Sequence, residues 1–417
     1  MNALFANGGT GRNRAIDGRL LVLILTIGVF GILNTEMGIV GVIPYVAERF
    51  GVSVPDAGLL VSGFALVVAI AGPTMPLLFS RMNRRTVMLL ALGIFSACNV
   101  ASIFAPTFGV LLAARIVPAA FHPLYVSMAM AVAQQSGDTP AACAKASARV
   151  FMGVSAGMVV GAPIAGMLAS AVAFPAAMAF FAAVTVVALV LTIAFVPSMP
   201  ADRALSYRGQ VAILKKPVVL SSLLAAATVN AAMFGFYSYL SDYLGTAAGM
   251  GAAMVSGVLF AYGLSNVAGN AVAGRTLGTS PRATMVAGPI VLAVLYVALF
   301  AAGVRPALAA LLAVVLGVAV GVANTCDQCM VSRSAPEAPD FANGLFLSAT
   351  NLGTTLGTTV CGAFISGAGA AFSVLGTLPC LALGILFTLM RLRMYGRERD
   401  WAGSTHALRR GQARLTK

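Results

Sequence analysis

Long apolar stretches, broken by short polar connections, run along almost the whole chain. A helix needs about 20 apolar residues to cross the hydrocarbon core. Runs of that length lie at about 20–44, 57–79, 86–104, 109–133, 147–169 and 175–196, and again at about 217–241, 253–274, 284–302, 307–329, 341–366 and 371–392. None shows the two-residue alternation of barrel strands, so the pattern predicts twelve transmembrane helices and an all-α membrane protein. The first run follows Arg12, Arg14 and Arg19 as a signal peptide would. It is longer than one, contains Glu36 and has no small-residue cleavage site after it, so it is read as a mature helix.

The connections sort the charge. Taken alternately, one set holds 23 of the 26 Lys and Arg, and the other holds only Arg49 and Arg305; Arg115 falls inside a run. Positive residues collect on the cytoplasmic side, which predicts both termini in the cytoplasm of a bacterial inner-membrane protein. The longest internal polar stretch, with Asp202, Arg203, Arg208, Lys215 and Lys216, divides the runs six and six. The expected organisation is an N-terminal six-helix half at 1–196, a cytoplasmic linker at 197–216, a C-terminal half at 217–392 and a basic tail at 393–417. The halves echo each other: Gly153 and Gly157 match Gly353 and Gly357 at an offset of 200, and Gly72 and Arg85 match Gly269 and Arg282 at 197. Such pseudo-symmetric repeats are common in transporters, whose substrate sites lie between them near the midplane.

Composition narrows the function. With 59% hydrophobic and 9% charged residues and a mean hydropathy of +0.94, the 417-residue chain is excluded from the water-soluble enzymes. A net charge of +14 could point to nucleic acid, but that needs a basic face on a soluble domain, and here the cations are scattered through loops. No nucleic-acid partner is expected; the tail suits anionic lipid. The six cysteines form no secreted disulfide framework. None of the four lysines follows a glycine, so the phosphate-cradling loop of an ATPase is missing. Transport would then be passive, coupled to an ion gradient or driven by a partner subunit, with no cofactor.

Coupling to an ion requires a titratable group inside the membrane. Glu36 is the leading candidate: it lies about 8 residues before Pro44, roughly 12 Å below the outer boundary. Buried acids at such depth are costly and are functional by default. Arg115 enters the fourth run from the same side, roughly 9 Å deep, so the two are expected to pair, either as a proton-coupling site or as a static bridge between the first and fourth helices. His122 is suited to proton relay. Its plainer alternative is a neutral ring hydrogen-bonded where Pro118 and Pro123 open the helix. Asn34, Asn230, Tyr237 and Asn324 are candidates for lining a substrate cavity, Asp327 for an interfacial residue and Asp242 for a solvated one.

Two motif matches carry less. Gly153-Val154-Ser155-Ala156-Gly157 fits a nucleophile elbow, but it lies in an apolar helix, where small residues instead let helices approach closely. Cys326 and Cys329 share a helix face and could suit a soft metal, yet a structural zinc site uses four ligands, so no metal is expected.

From about Leu20 to Arg391 the chain resembles the major facilitator superfamily, in particular its twelve-helix drug:proton antiporter branch of arabinose-efflux-permease-like, sugar-efflux and chloramphenicol exporters. The likeness rests on Glu36-Met37-Gly38-Ile39-Val40-Gly41-Val42-Ile43-Pro44, on Leu111 to Arg115, and on Gly153, Gly157, Gly161-Ala162-Pro163-Ile164-Ala165-Gly166, which is similar to the motif that marks exporters. Gly269 to Arg275 and Asn351 to Gly353 add to it. The resemblance implies the superfamily fold, proton coupling through Arg115, helix packing and bending at the Gly161–Gly166 stretch, and gating by Arg81, Arg84 and Arg85. Ser80 stands where the gating motif commonly has Asp, and Pro118 where a Gln is often found. The expected function is export of a small organic molecule, of drug, sugar or nucleoside type, in exchange for protons by a monomer with alternating access. The alternatives are a proton-coupled importer or facilitator and, from another class, an intramembrane enzyme.

Overall fold

In the computed structural model the described residues are 18–79, 82–136, 140–200, 215–302, 305–335 and 339–394. They are helical with short links and contain no strand. Helix α1 (Gly18–Gly38) passes through a 3₁₀ turn (Ile39–Val42) into a further helical piece, Ile43–Phe50, and so extends well beyond the run in the sequence. It stops at Gly51, whose φ of 63° places it in the left-handed region that glycine tolerates. Then follow α2 (Leu59–Leu78), α3 (Arg84–Ile103), α4 in two pieces (Phe108–Ala119 and His122–Gln135), α5 (Pro140–Ala171) and α6 (Phe174–Phe195). The second set is α7 (Pro217–Tyr237), α8 (Ala252–Thr279), α9 (Pro281–Ala302), α10 (Pro306–Ser334), α11 (Pro339–Ala368) and α12 (Thr377–Met394). Five of them begin on proline, which lacks only the N–H that a first turn leaves unpaired.

Among the described residues eleven stretches are long and apolar enough to cross a membrane. Helix α11 is long enough too, but its middle carries Thr354, Thr355 and Thr359. Those hydroxyls donate to the carbonyls of Thr350, Asn351 and Thr355, four residues back, so each polar group is satisfied within the helix.

The two sets pack alike. Helix α1 lies along α5 and α7 lies along α11; α3 pairs with α6, and α9 with α12. The offset of 200 has a structural meaning. A Cβ on Gly153 would come 2.5 Å from the Thr26 carbonyl and one on Gly157 2.7 Å from Leu33, both on α1; Gly353 and Gly357 stand equally close to the Ala227 and Ala231 carbonyls of α7. Without glycine these backbones could not approach so closely. The sets meet along α2–α11 and α5–α8. At one end of the bundle they share a continuous apolar core that takes in Ile39 to Ala47, Phe174, Phe236, Tyr243 and Leu259. Polar contacts cross the same divide: Ser241 Oγ donates to the Val40 carbonyl at 2.6 Å, and the single proton of Thr355 Oγ1 is shared between the Asn351 carbonyl of its own helix and the Ser62 carbonyl, 3.1 Å away. Most of the linker and tail, Arg81, and the N-terminal Arg12 and Arg14 lie outside the described residues.

Replacing Gly357 by Val should cost about 1–3 kcal/mol through overpacking against α7. Gly257, whose Cβ would meet nothing within 4 Å, should accept Ala without loss. Melting of the two purified variants in detergent checks this.

Candidate functional site

The site begins with the break in α1. Where the backbone changes from α to 3₁₀ bonding, Arg115 of α4 meets two carbonyls of the preceding turn. Its Nη1 donates to the Thr35 carbonyl at 2.7 Å and its Nη2 to the Glu36 carbonyl at 3.3 Å. The side chain is 1% exposed, with its guanidinium 5.1 Å over the Phe64 ring of α2. The expected pairing of Arg115 with Glu36 is thus made through main-chain oxygens, because Arg115 approaches α1 from the side of its exposed carbonyls.

The Glu36 carboxylate turns to His122 instead, with Oε2 and Nε2 3.0 Å apart. This is an ion-pair contact more than an aligned hydrogen bond, since neither ring nitrogen has a well-directed partner. His122 opens the second piece of α4, just after the interruption that follows Pro118. The break turns the chain so that Arg115 and His122 both face α1, with Phe64 edge-on to His122 at 5.9 Å. Behind them, Asn99 of α3 donates from its amide to the hydroxyls of Thr35 (3.1 Å) and Thr185 (3.2 Å), tying α1, α3 and α6 together. Asn99 and Phe64 were not singled out from the sequence; a lone Asn and a lone Phe in apolar runs look like ordinary packing.

A cavity of about 80 Å³ lies between the sets. Met37 borders it from α1, next in sequence to Glu36. Phe151, Ser155 and Met158 come from α5, Met233, Phe234 and Tyr237 from α7, Tyr262, Asn266 and Asn270 from α8, and Asn324 from α10. Tyr237 and Tyr262 stack with centroids 5.2 Å apart and planes at 19°. No Asp, Glu, Lys, Arg or His lies among the lining residues. Of the four candidates for a substrate cavity, Tyr237 and Asn324 are among these lining residues. Asn34 and Asn230 do not line the cavity. Asn34 is fully buried in the α1–α5 contact, its amide oxygen 3.1 Å from where a Cβ on Gly161 would be; Asn230 faces α10 and donates to Asp327 at 3.2 Å. Asn266 and Asn270, a turn apart on one face of α8, form a polar stripe that is legible in the sequence.

The remaining candidates fall elsewhere. Arg85 donates from Nη2 to the Ile193 carbonyl (2.8 Å) at the end of α6, and the backbone N–H of Arg84 donates to the Met199 carbonyl (2.9 Å), so this loop binds α3 to the exit of α6. Pro163 sits inside an unbroken α5, and Gly166 lies against the Gly41 carbonyl of α1. Asp327 is corrected from interfacial to buried, at 5% exposure, because α7 covers it. Asp242 is corrected from solvated to buried, also at 5%, and accepts from Thr246 Oγ1 at 3.0 Å. Cys326 and Cys329 are free thiols, and among the described residues no group of three or more Cys, His, Asp or Glu could hold a metal.

The profile of the Major Facilitator Superfamily matches residues 25–358. The chain belongs to that superfamily. The Escherichia coli K12 inner membrane transport protein YdhP is 30% identical over 88% of this chain and 94% of its own. An uncharacterized MFS-type transporter of Bacillus subtilis, YfhI, is 28% identical over 84% and 88%. Among solved structures, an inward-facing, occupied bacterial homologue of the human lysosomal transporter Spinster superposes with a TM-score of 0.74 at 18% identity, covering 92% of this chain and 98% of that one. The nucleoside transporter NupG gives 0.72 at 16%, covering 91% and 100%. At such identities the superpositions carry the fold. The chain is a multi-pass membrane transporter of small solutes, and neither its relatives nor its fold point to an enzyme.

Because Arg115 holds backbone oxygens and not the carboxylate, Arg115→Leu and Glu36→Gln should separate. The first removes two hydrogen bonds from a charged donor to buried carbonyls and should cost about 2–4 kcal/mol. The second keeps both bonds and should melt close to wild type. Thermal unfolding in detergent distinguishes them.

Proposed function

We propose that this transporter exports a small, uncharged organic solute across the bacterial inner membrane in exchange for protons. The observation that carries the reading is the buried contact of Glu36 with His122, 3.0 Å apart and 11% and 4% exposed, on the residue next to cavity-lining Met37. A carboxyl and an imidazole at that separation can share one proton, and either can pass it to water when the cavity opens. Arg115 has a positioning role: it holds the carbonyls of Thr35 and Glu36, and so fixes where the carboxylate stands relative to α4. The cavity supports the solute class. Stacked tyrosines and methionines offer flat apolar contact, the asparagines offer donors and acceptors, and no fixed charge compensates an ion. Drugs, sugars and nucleosides without net charge all meet this description.

Orientation follows from charge. With the Lys- and Arg-rich connections in the cytoplasm, the shared apolar core at Ile39–Ala47 and Tyr243 closes the outer side, and both termini are cytoplasmic. Alternating access then requires this core and the Ser241–Val40 bond to part.

The experiment is solute flux in proteoliposomes under an imposed pH gradient, using solutes to which a deletion strain becomes hypersensitive. Wild type should accumulate solute on the acidic side, and Glu36→Gln should lower gradient-driven flux at least about tenfold while the protein stays folded. Equal flux with and without the gradient would leave a facilitator, and uptake into the strain would make it an importer.

A further inference from the structure

The C-terminal half contains a buried acid that the reading above does not use. Asp327 lies on α10, 5% exposed, and the partner of its carboxylate is the Asn230 amide of α7, with Nδ2 to Oδ2 at 3.2 Å. Asn230 is itself 0% exposed, also donates to the Ala226 carbonyl at 2.9 Å, and has an Oδ1 that is buried without any partner. Among the described residues no Lys, Arg or His nitrogen makes an ion pair with Asp327. The cations on the elements packed around it are Arg275 near the end of α8, Arg282 at the start of α9, Arg333 near the end of α10, and Arg391 and Arg393 in α12. Cys326 and Cys329 are the other titratable groups on its own helix, and α7 brings Asn230 and no charge.

An ionised carboxylate at this depth, facing only a neutral amide, is an expensive arrangement. Adding a proton removes the charge and creates an O–H donor. The orphan Oδ1 of Asn230 is an acceptor in the adjoining amide. Acid and amide then complement each other fully: the amide N–H donates to one carboxyl oxygen while the O–H donates to the amide oxygen. The pair thus has a hydrogen-bonding arrangement for each protonation state, and the one seen leaves an acceptor waiting. Its position gives access. Asp327 is one helical turn beyond Asn324, and Asn230 one turn before Met233 and Phe234, all three of which line the cavity. It also mirrors the other half, where Glu36 and His122 join the first and fourth helices as Asn230 and Asp327 join the seventh and tenth.

We infer that Asp327, positioned by Asn230, is a second proton-binding site of this transporter, so that each half carries one. The inference rests on the proton-coupled reading of Glu36. The proton comes from a hydronium ion in the cavity, forms the O–H bond on the Asp327 carboxylate and returns to water, with no oxidant or reductant involved. Asp327 lies roughly 10 Å from the end of α10 at Ser334, whereas Glu36 lies roughly 27 Å from the start of α1 at Gly18, on the same side by the charge pattern, so the two sites are staggered across the membrane.

The test is pH-difference infrared spectroscopy of the full-length protein in lipid, following the carboxylic-acid C=O stretch, which needs no substrate. The wild-type spectrum should contain, among its titrating carboxyl bands, one from Glu36 and one from Asp327. Glu36→Gln should remove one, and Asp327→Asn, close in shape to Asp, should remove the other. Asn230→Ala should move the midpoint of the Asp327 band by at least about one pH unit, a tenfold change in proton affinity, and leave the Glu36 band in place. A spectrum unchanged by Asp327→Asn overturns the inference whatever Glu36 does. A missing Glu36 band with the Asp327 band present overturns the earlier reading alone. An unmoved midpoint in Asn230→Ala ends the positioning role of Asn230.

Discussion

A main-chain carbonyl that loses its helical partner inside a membrane has to find another donor, because water is not at hand. In this protein that requirement arises at Val40, because the residue four further on is Pro44, which has no N–H, and Ser241 of the other half answers it. One turn earlier, before the 3₁₀ turn at Ile39–Val42, Arg115 donates to the carbonyls of Thr35 and Glu36. The Arg115 contact ties α1 to α4 inside one half. The Ser241 contact ties the two halves together. The same stretch of chain therefore holds a carboxyl in place within a half and supplies a latch between halves.

That link gives a physical form to coupling. A change of charge at Glu36 occurs on a residue whose own carbonyl is gripped by Arg115, four residues before a carbonyl that Ser241 holds across the divide. Glycine packing supplies the counterpart. Gly157 of α5 fits against Leu33 and Gly357 of α11 against Ala231 with little to interlock, so each contact is tight without being ratcheted by side chains. Each half can then move as a body, while the interface between them stays a surface of few bonds. The C-terminal half breaks its own first helix after Tyr237, with turns through Ala247, and so repeats the device in altered form.

Burial separates the polar residues into classes that their identities hide. Asn99, Asn230 and Asn324 look alike as single asparagines in apolar runs. In the fold Asn99 cross-links three helices, Asn230 holds an acid and Asn324 faces the cavity. The face of the helix on which each one falls, and the helix that covers it, decide which role is open.

Much of this architecture was legible in the chain. A run of about 20 apolar residues has no stable solution in lipid except a helix, so the pattern determined the elements, and the repeated glycines at 153, 157, 353 and 357 announced matching contacts in the two halves. Glu36, Arg115 and His122 stood out because charge at that depth is costly wherever it points. Their partners were not legible. Depth along a helix is a local quantity, and it placed Glu36 and Arg115 at one level correctly, yet which oxygen Arg115 grips depends on a 3₁₀ turn and an interruption in α4 that shift the two helices in azimuth. The burial of Asp327 likewise came from α7, about a hundred residues away in sequence, closing over a position that its own helix would have left at an interface. Local pattern specifies what a segment becomes. Only the assembled bundle decides which of its side chains meet, because that depends on the relative rotation and offset of helices far apart in the chain.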